Sequence, residues 1–343
     1  MSHSENSIAN ILGTGLLAQL DLPQVGTKFP AGYHEAYWFY GYDEQASIGY
    51  YFYLVADTGD EILRHEHTFL FLPDGSILAG YSAGSNTRHA IAIGDRLELE
   101  CDVPFKRWRI RYSADMTLIP ADRRIAGVAP GHGSTPVEVA LEFDAHTAAW
   151  NTEGNWGEPP PALRYHQLGR GRGSIRWGGA KAAIDGYCFR SHSRRQRDMA
   201  GWAGHTLANA LFADGRAFGI FRMRGSAERP ERGRGFVIEN GRLFDADVTQ
   251  HPQLNTPVEH GESFTIVLSG EFGEAVIHGD VVNEVFLSQT ASGRHYGVAW
   301  DAGAGMLLSE GFVRYRWGNQ QTVGVLERST LIKALSQNDI KSC

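Results

Sequence analysis

Seven side chains able to carry charge or share protons crowd into nine positions: Arg190, His192, Ser193, Arg194, Arg195, Arg197 and Asp198. They follow an apolar run and precede Trp202 and His205 in IDGYCFRSHSRRQRDMAGWAGH, residues 184–205. Charge this dense between half-buried segments is expensive to desolvate unless it is paired or put to use. On an extended chain Tyr187, Phe189 and Ser191 share one face, and Cys188, Arg190 and His192 share the other. One face can then meet a core while Arg190 and His192 point into a common space. The competing reading is a solvated, Arg-rich turn.

These residue types suit proton transfer. His192 has an ordinary pKa near neutrality and is the candidate acid or base. Asp198 is the second candidate, although Arg190 and Arg197 beside it would lower its pKa and keep it ionised. The two arginines would hold a substrate oxygen or organise that carboxylate, and a structural Asp–Arg bridge competes. Far upstream, His34 and Glu35 open an aromatic run with Tyr37, Trp38 and Tyr40. His34 is expected to face a cavity with Glu35 orienting it, against the alternative of a solvated strand-edge pair. Tyr165, His166 and the tryptophans Trp38, Trp156, Trp177 and Trp202 are candidate pocket residues whose rings could stabilise a cation. Plain aromatic core is the alternative.

His65-Glu66-His67 has the spacing of a metal-binding strand, but Phe71 stands where a further carboxylate would be wanted, so no metal is expected. The GRGRG run at 169–173 lacks the Lys-Ser/Thr ending of a phosphate loop, and no cofactor is expected.

The elements that must position these residues are strands. Segments 36–42, 48–55, 67–72, 96–101, 107–112 and 137–143 alternate bulk with polarity and are separated by turn formers such as Pro73-Asp74-Gly75. Strands resume at 174–177, 183–189 and 205–212 and continue to residue 327. Residues 2–20 read as a short helix or an arm packed on the body, and residues 329–337 are the other helix candidate, with Ser329 as N-cap. WNTEGNWGEPPP, residues 150–161, reads as a linker. Two stretches echo each other: HEHTFLFLPDG in the first half and HTLANALFADG in the second. An all-β fold of two β-barrel-like domains follows, because closing a sheet removes its edges. The expected parts are an arm at 1–33, a first domain at 34–155 and a second at 156–343 ending in the short helix.

The 343 residues carry a formal charge of -7, which argues against a nucleic-acid binder. No apolar run approaches the ~20 residues of a membrane span. The polar start without basic residues is unlike a signal peptide, and Cys101, Cys188 and Cys343 are too scattered for a disulfide framework, so cytoplasm is expected.

HEAYWFYGYD (34–43), RWRIRY (107–112), YHQLGRGRGSIRWGG (165–179) and IDGYCFRSHSRRQRD (184–198), in this order, resemble the carotenoid 1,2-hydratase or AttH-like superfamily over roughly residues 34–327. The resemblance implies tandem lipocalin-like barrels and a pocket for greasy, isoprenoid or polyketide-like substrates. Its bacterial branch resembles Arg-Asp-His-Ser-Trp-Gly-x-Arg-Asp-Trp in the second signature. Arg190, His192, Ser193, Arg197 and Asp198 match it, whereas Ser191, Arg194, Arg195 and Met199 depart. Ser191 in place of the carboxylate leaves Asp198 or a different chemistry.

The expected function is cofactor-independent acid–base chemistry at an alkene of a hydrophobic small molecule: hydration, dehydration, isomerisation or cyclisation. The alternative is a lipocalin-like carrier that transforms nothing. A carrier keeps ionisable groups outside an apolar pocket, whereas an enzyme turns them inward. The substrate is the expected partner, and a homodimer is compatible with the sequence.

Overall fold

Period-two alternation gives a chain whose described residues are strands joined by turns, with four short 3-10 turns as the helical elements among them. The computed structural model describes residues 16–23, 33–56, 64–84, 86–88, 91–129, 131–151, 163–196, 201–291 and 293–335.

Eight strands form the first sheet's ring: β1 (Tyr33–Asp43), β2 (Ile48–Ala56), β3 (Arg64–Phe71), β4 (Ile77–Gly84), β5 (Arg107–Ile119), β6 (Ser134–Ala145), β7 (Leu163–Trp177) and β8 (Ala180–Gln196). Each pairs with the next, and β8 returns antiparallel to β1, so the ring closes and its edges disappear. The second sheet repeats the plan with β9 (Gly204–Leu211), β10 (Ala217–Met223), β11 (Arg232–Glu239), β12 (Arg242–Gln250), β13 (Ser263–Gly270), β14 (Gly273–Thr290), β15 (Gly305–Trp317) and β16 (Gln320–Leu331). Here β16 pairs back onto β9. The all-β, tandem lipocalin-like reading holds.

The echo between the halves marks the same device twice. HEHTFLFLPDG and HTLANALFADG are the third strand of one ring and the first of the other, each entering an Asp-Gly turn. Gly75 and Gly215 sit at φ +84 and +86, the left-handed region that favours glycine. Asp74 accepts the Ser76 amide at 2.9 Å, and Asp214 accepts the Arg216 amide at 3.1 Å.

Two expectations change. The first unit runs on past residue 155, because β7 and β8 complete the first ring by pairing with β6 and β1, and the second unit takes residues 74–77 and 118–132 besides 199–343. The C-terminal helix is absent among the described residues. Residues 329–331 extend β16, hydrogen-bonded between β9 and β15, and only Ile332–Ala334 makes a 3-10 turn. Ladder bonds on both edges outweigh a weak helical pattern. The GRGRG run is the middle of β7.

Gly171 of this run and Gly41 of β1 make room for the Tyr50 ring. A Cβ on Gly171 would stand 1.9 Å from the Tyr50 hydroxyl, and one on Gly41 2.4 Å from the same ring. Gly171→Ala is therefore expected to lower the unfolding free energy by about 1–3 kcal/mol through overpacking. Tyr50→Phe in the same chain should recover part of that loss in urea titrations. Equal stability of wild type and Gly171→Ala would contradict this packing.

The first barrel's interior is aromatic, with Trp108 5.7 Å from Tyr37 and 5.9 Å from Phe39 between ring centroids. The second is filled by Phe218, Ile220, Leu268, Ile277, Tyr315 and their neighbours. It also holds a buried Arg328 that binds Glu262 at 2.7 Å through both terminal nitrogens, and Glu284 at 2.8 Å.

Candidate active site

Along β8 the alternation expected from the sequence is realised: Arg190, His192 and Arg194 turn into the first barrel, and Ser191 and Ser193 take the other face. The register sets His192 beside Tyr37 of β1 and Tyr165 of β7, and Arg194 beside Glu35. Arg190, His192, Glu35, Tyr37 and Tyr165 are all fully buried.

A carboxylate from outside the strands completes the group. Asp21 ends the 3-10 turn Ala18–Asp21, whose neighbours Leu16 and Leu20 pack with Phe105, Leu163 and Tyr165. Its Oδ1 accepts from Arg190 and from the Tyr165 hydroxyl. Its Oδ2 accepts from the Phe105 amide at 2.5 Å and the Trp108 indole at 3.0 Å. The Arg190 guanidinium lies 4.5 Å over the Trp108 ring and donates to Gln167 at 3.2 Å.

From Asp21 a chain of contacts runs across the barrel. The Tyr165 hydroxyl meets His192 Nδ1 at 3.0 Å, and His192 Nε2 meets Glu35 Oε1 at 3.2 Å. Arg194 Nε donates to the same Glu35 oxygen at 2.8 Å, and its terminal nitrogen donates to the Leu22 carbonyl. Tyr37 stacks on His192 at 4.4 Å.

The titration of the group follows from this packing. Burial pushes His192 down to about 4, overriding the Glu35 hydrogen bond that favours its cation. Burial alone would raise both carboxyls. For Glu35 the His192 and Arg194 contacts outweigh it and hold the group at about 2, and for Asp21 Arg190, His192 and Tyr165 bring it below its usual value. Burial raises the Tyr165 hydroxyl well above its usual range. Near neutrality the network therefore holds two carboxylates, two guanidiniums, a neutral imidazole and a neutral phenol. Three gaps, Asp21 to Tyr165, Tyr165 to His192 and His192 to Glu35, are bridged by two hydrogens. One further proton would fill the third.

This state has a pH signature. The folded His192 binds a proton less readily than its ordinary 6.5, and Glu35 less readily than its ordinary 4.5. The unfolded chain thus takes up protons first as the pH falls. Stability is complete above about pH 6.5, declines toward pH 4 through His192, and declines further toward pH 2 through Glu35. The His192 share is about 3 kcal/mol. Urea unfolding at pH 7, 5.5 and 4.5 should show the decline, and His192→Asn should flatten it above pH 4.5. A wild-type stability independent of pH between 7 and 4.5 would contradict the neutral imidazole.

The other sequence candidates fall elsewhere. His34 is on the face opposite Glu35, since adjacent strand residues point apart, so Glu35 orients His192 and not His34. Trp38 and His166 also face away from the barrel interior, Trp38 5.3 Å from Tyr53 and His166 5.5 Å from Trp150. Trp177 is half-buried at the far tip of the β7–β8 hairpin. Trp202 belongs to the second unit, 5.3 Å from His205. Trp156, Arg197 and Asp198 lie outside the described residues. Asp21 and Gln167 are the members that sequence reasoning did not select, and Arg194, named in the polar cluster, was given no role there. An aspartate directly after the apolar LLAQL run was the available signal for the first.

Solved structures share this architecture. An AttH-type protein (NE1406) from Nitrosomonas europaea superposes with TM-score 0.60 at 14% identity, covering 89% of this chain and 97% of that one. CghA gives TM-score 0.56 at 9% identity, covering 92% and 98%. Kievitone hydratase from Nectria haematococca gives 0.51 at 11% identity, covering 88% and 89%. At these identities the likeness is one of fold, the fold that the AttH-like resemblance implied. No curated protein matches the chain by sequence. The family described as a domain of unknown function (DUF7064) matches residues 25–332, and the chain belongs to that family.

Proposed function

We propose that this protein is a cofactor-independent enzyme that moves a proton at a carbon centre of a hydrophobic small molecule, with His192 as the proton acceptor and donor. The observation that carries the reading is the inward orientation of His192, Glu35, Asp21 and Arg190 within an aromatic barrel. Burying charge is costly unless it is paired or used; here the two carboxylates are paired with arginines, and the neutral His192 between them is the group left for proton transfer. The fold shared with a protein named as a hydratase supports the same class.

His192 is neutral near pH 7, so its first step is proton uptake. In a dehydration it removes the proton from the carbon next to one bearing a hydroxyl. The C–H electron pair becomes the new double bond, hydroxide leaves, and return of the proton makes water. The reverse sequence is hydration. Both ring nitrogens are engaged, Nδ1 by Tyr165 and Nε2 by Glu35, so the substrate C–H displaces one of these contacts to reach the ring, and the imidazolium formed is held by the other. Tyr165 and Glu35 are positioning residues that fix the ring, and Arg190 and Arg194 keep the two carboxylates ionised.

The test is to extract the apolar molecules that copurify with the protein, identify them by mass spectrometry, and follow their conversion. Turnover by His192→Ala within a few-fold of wild type would remove His192 from the chemistry.

A further inference from the structure

The donors around Asp21 belong to the barrel, but the carboxylate they hold does not. They are the Arg190 guanidinium of β8, the Tyr165 hydroxyl of β7, the Trp108 indole of β5 and the Phe105 amide just before β5, with the Cys101 thiol 3.8 Å away. The acceptor sits on the short turn Ala18–Asp21, which precedes the ring in the chain. All of these groups are buried. Phe105 aims its amide at the carboxylate from φ +57, the left-handed region that a bulky side chain rarely adopts.

Asp21 leaves one donor of this cradle unused. It engages the guanidinium through Nη2, while Nε of Arg190 is buried and has no hydrogen-bond partner among the described residues. Nε and Nη2 lie along one edge of the guanidinium and together match the two oxygens of a carboxylate. A carboxylate free of the turn can take both.

We propose that the cradle is a ligand site which the chain's own Asp21 occupies, and that its ligand is a small organic molecule bearing a carboxylate. The class is set by the guanidinium and the donors beside it, not by the apolar walls. The turn seals the network: Leu16 and Leu20 pack with Phe105, Leu163 and Tyr165, Arg194 donates to the Leu22 carbonyl, and His192 is fully buried. A substrate reaches His192 when the turn lifts, a step that rests on the proton-transfer role proposed for His192. Lifting it for a neutral molecule strips Arg190 of its counter-ion, which weakens binding by roughly 100- to 5,000-fold. A ligand that brings its own carboxylate restores the pair. His192 Nδ1 stands 3.9 Å from Asp21 Oδ1, so a carboxylate seated there brings the carbon atoms beside it next to the imidazole.

Octanoate and octanamide, alike in size but not in charge, are the probes, read by isothermal titration calorimetry. Asp21→Asn weakens the built-in competitor, so octanoate should bind this variant roughly tenfold or more tighter than it binds wild type, and tighter than octanamide by a similar factor. A purely structural Asp21 would give no such gain. Asp21→Leu with Arg190→Met removes both charges and should show no preference between the probes. In wild type, octanoate but not octanamide should speed hydrogen exchange of the Leu20 and Leu22 amides, which bond to the Leu17 and Gln19 carbonyls within the turn. That readout decides the matter if Asp21→Asn does not fold, and unchanged exchange then overturns the proposal. Equal octanoate affinity in wild type and Asp21→Asn overturns it too, as does octanamide matching octanoate in Asp21→Asn, a preference that survives loss of both charges, or no saturable binding by either protein. None of these readouts uses turnover, so failure here is distinct from failure of the role given to His192.

Discussion

Asp21→Ala is expected to lower the unfolding free energy by about 3–5 kcal/mol, the range for removing one partner of a buried charge pair. Arg190 is fully buried against Asp21, and the substitution would leave its guanidinium in the aromatic interior with Gln167 and Tyr165 as its polar partners among the described residues. The Phe105 amide and the Trp108 indole would lose their acceptor as well. Replacing both charges together, as Asp21→Leu with Arg190→Met, removes the desolvation cost along with the attraction and should recover more than half of the loss. Urea unfolding of the two single variants and the double variant measures both effects. A loss below 1 kcal/mol in Asp21→Ala would mean that the turn carrying Asp21 does not seat in the barrel as described.

The second large effect concerns turnover. His192→Asn should fold with near wild-type stability at pH 7, since a neutral side chain of similar breadth still bridges Tyr165 and Glu35. Its turnover should fall about 100- to 10,000-fold, the usual contribution of a positioned acid–base group. Glu35→Gln should fall less and, by withdrawing the negative charge beside Nε2, lower the pH at which the rate changes. A uniform loss in all variants that tracks their melting temperatures would instead mark the network as purely structural.

What the sequence made legible was local. The alternation from Tyr187 to His192 placed Arg190 and His192 on one face, and the matching Asp-Gly stretches marked the same kind of hairpin turn in each ring, on the third strand of one and the first of the other. The same rule applied at His34 and Glu35 would have separated them, but adjacency in sequence was taken for cooperation in space. What was not legible depends on distant pairing. Asp21 meets Tyr165 across 144 positions and Arg190 across 169, contacts that no local pattern encodes. The prolines before residue 162 read as a domain linker, yet the chain beyond them returns to close the first ring. The glycines of GRGRG have roles that only distant pairing shows: Gly171 clears the Tyr50 ring of β2, and Gly169 and Gly173 lie against the backbone of β6. The tryptophans scattered over different faces because aromatic residues suit any half-buried strand position.

The most direct measurement is nitrogen NMR of the His192 imidazole through a pH titration. The account predicts a neutral ring at pH 7, a single fixed tautomer, and protonation only near pH 4. A ring that titrates near 6.5, with tautomers averaging as in water, would contradict it.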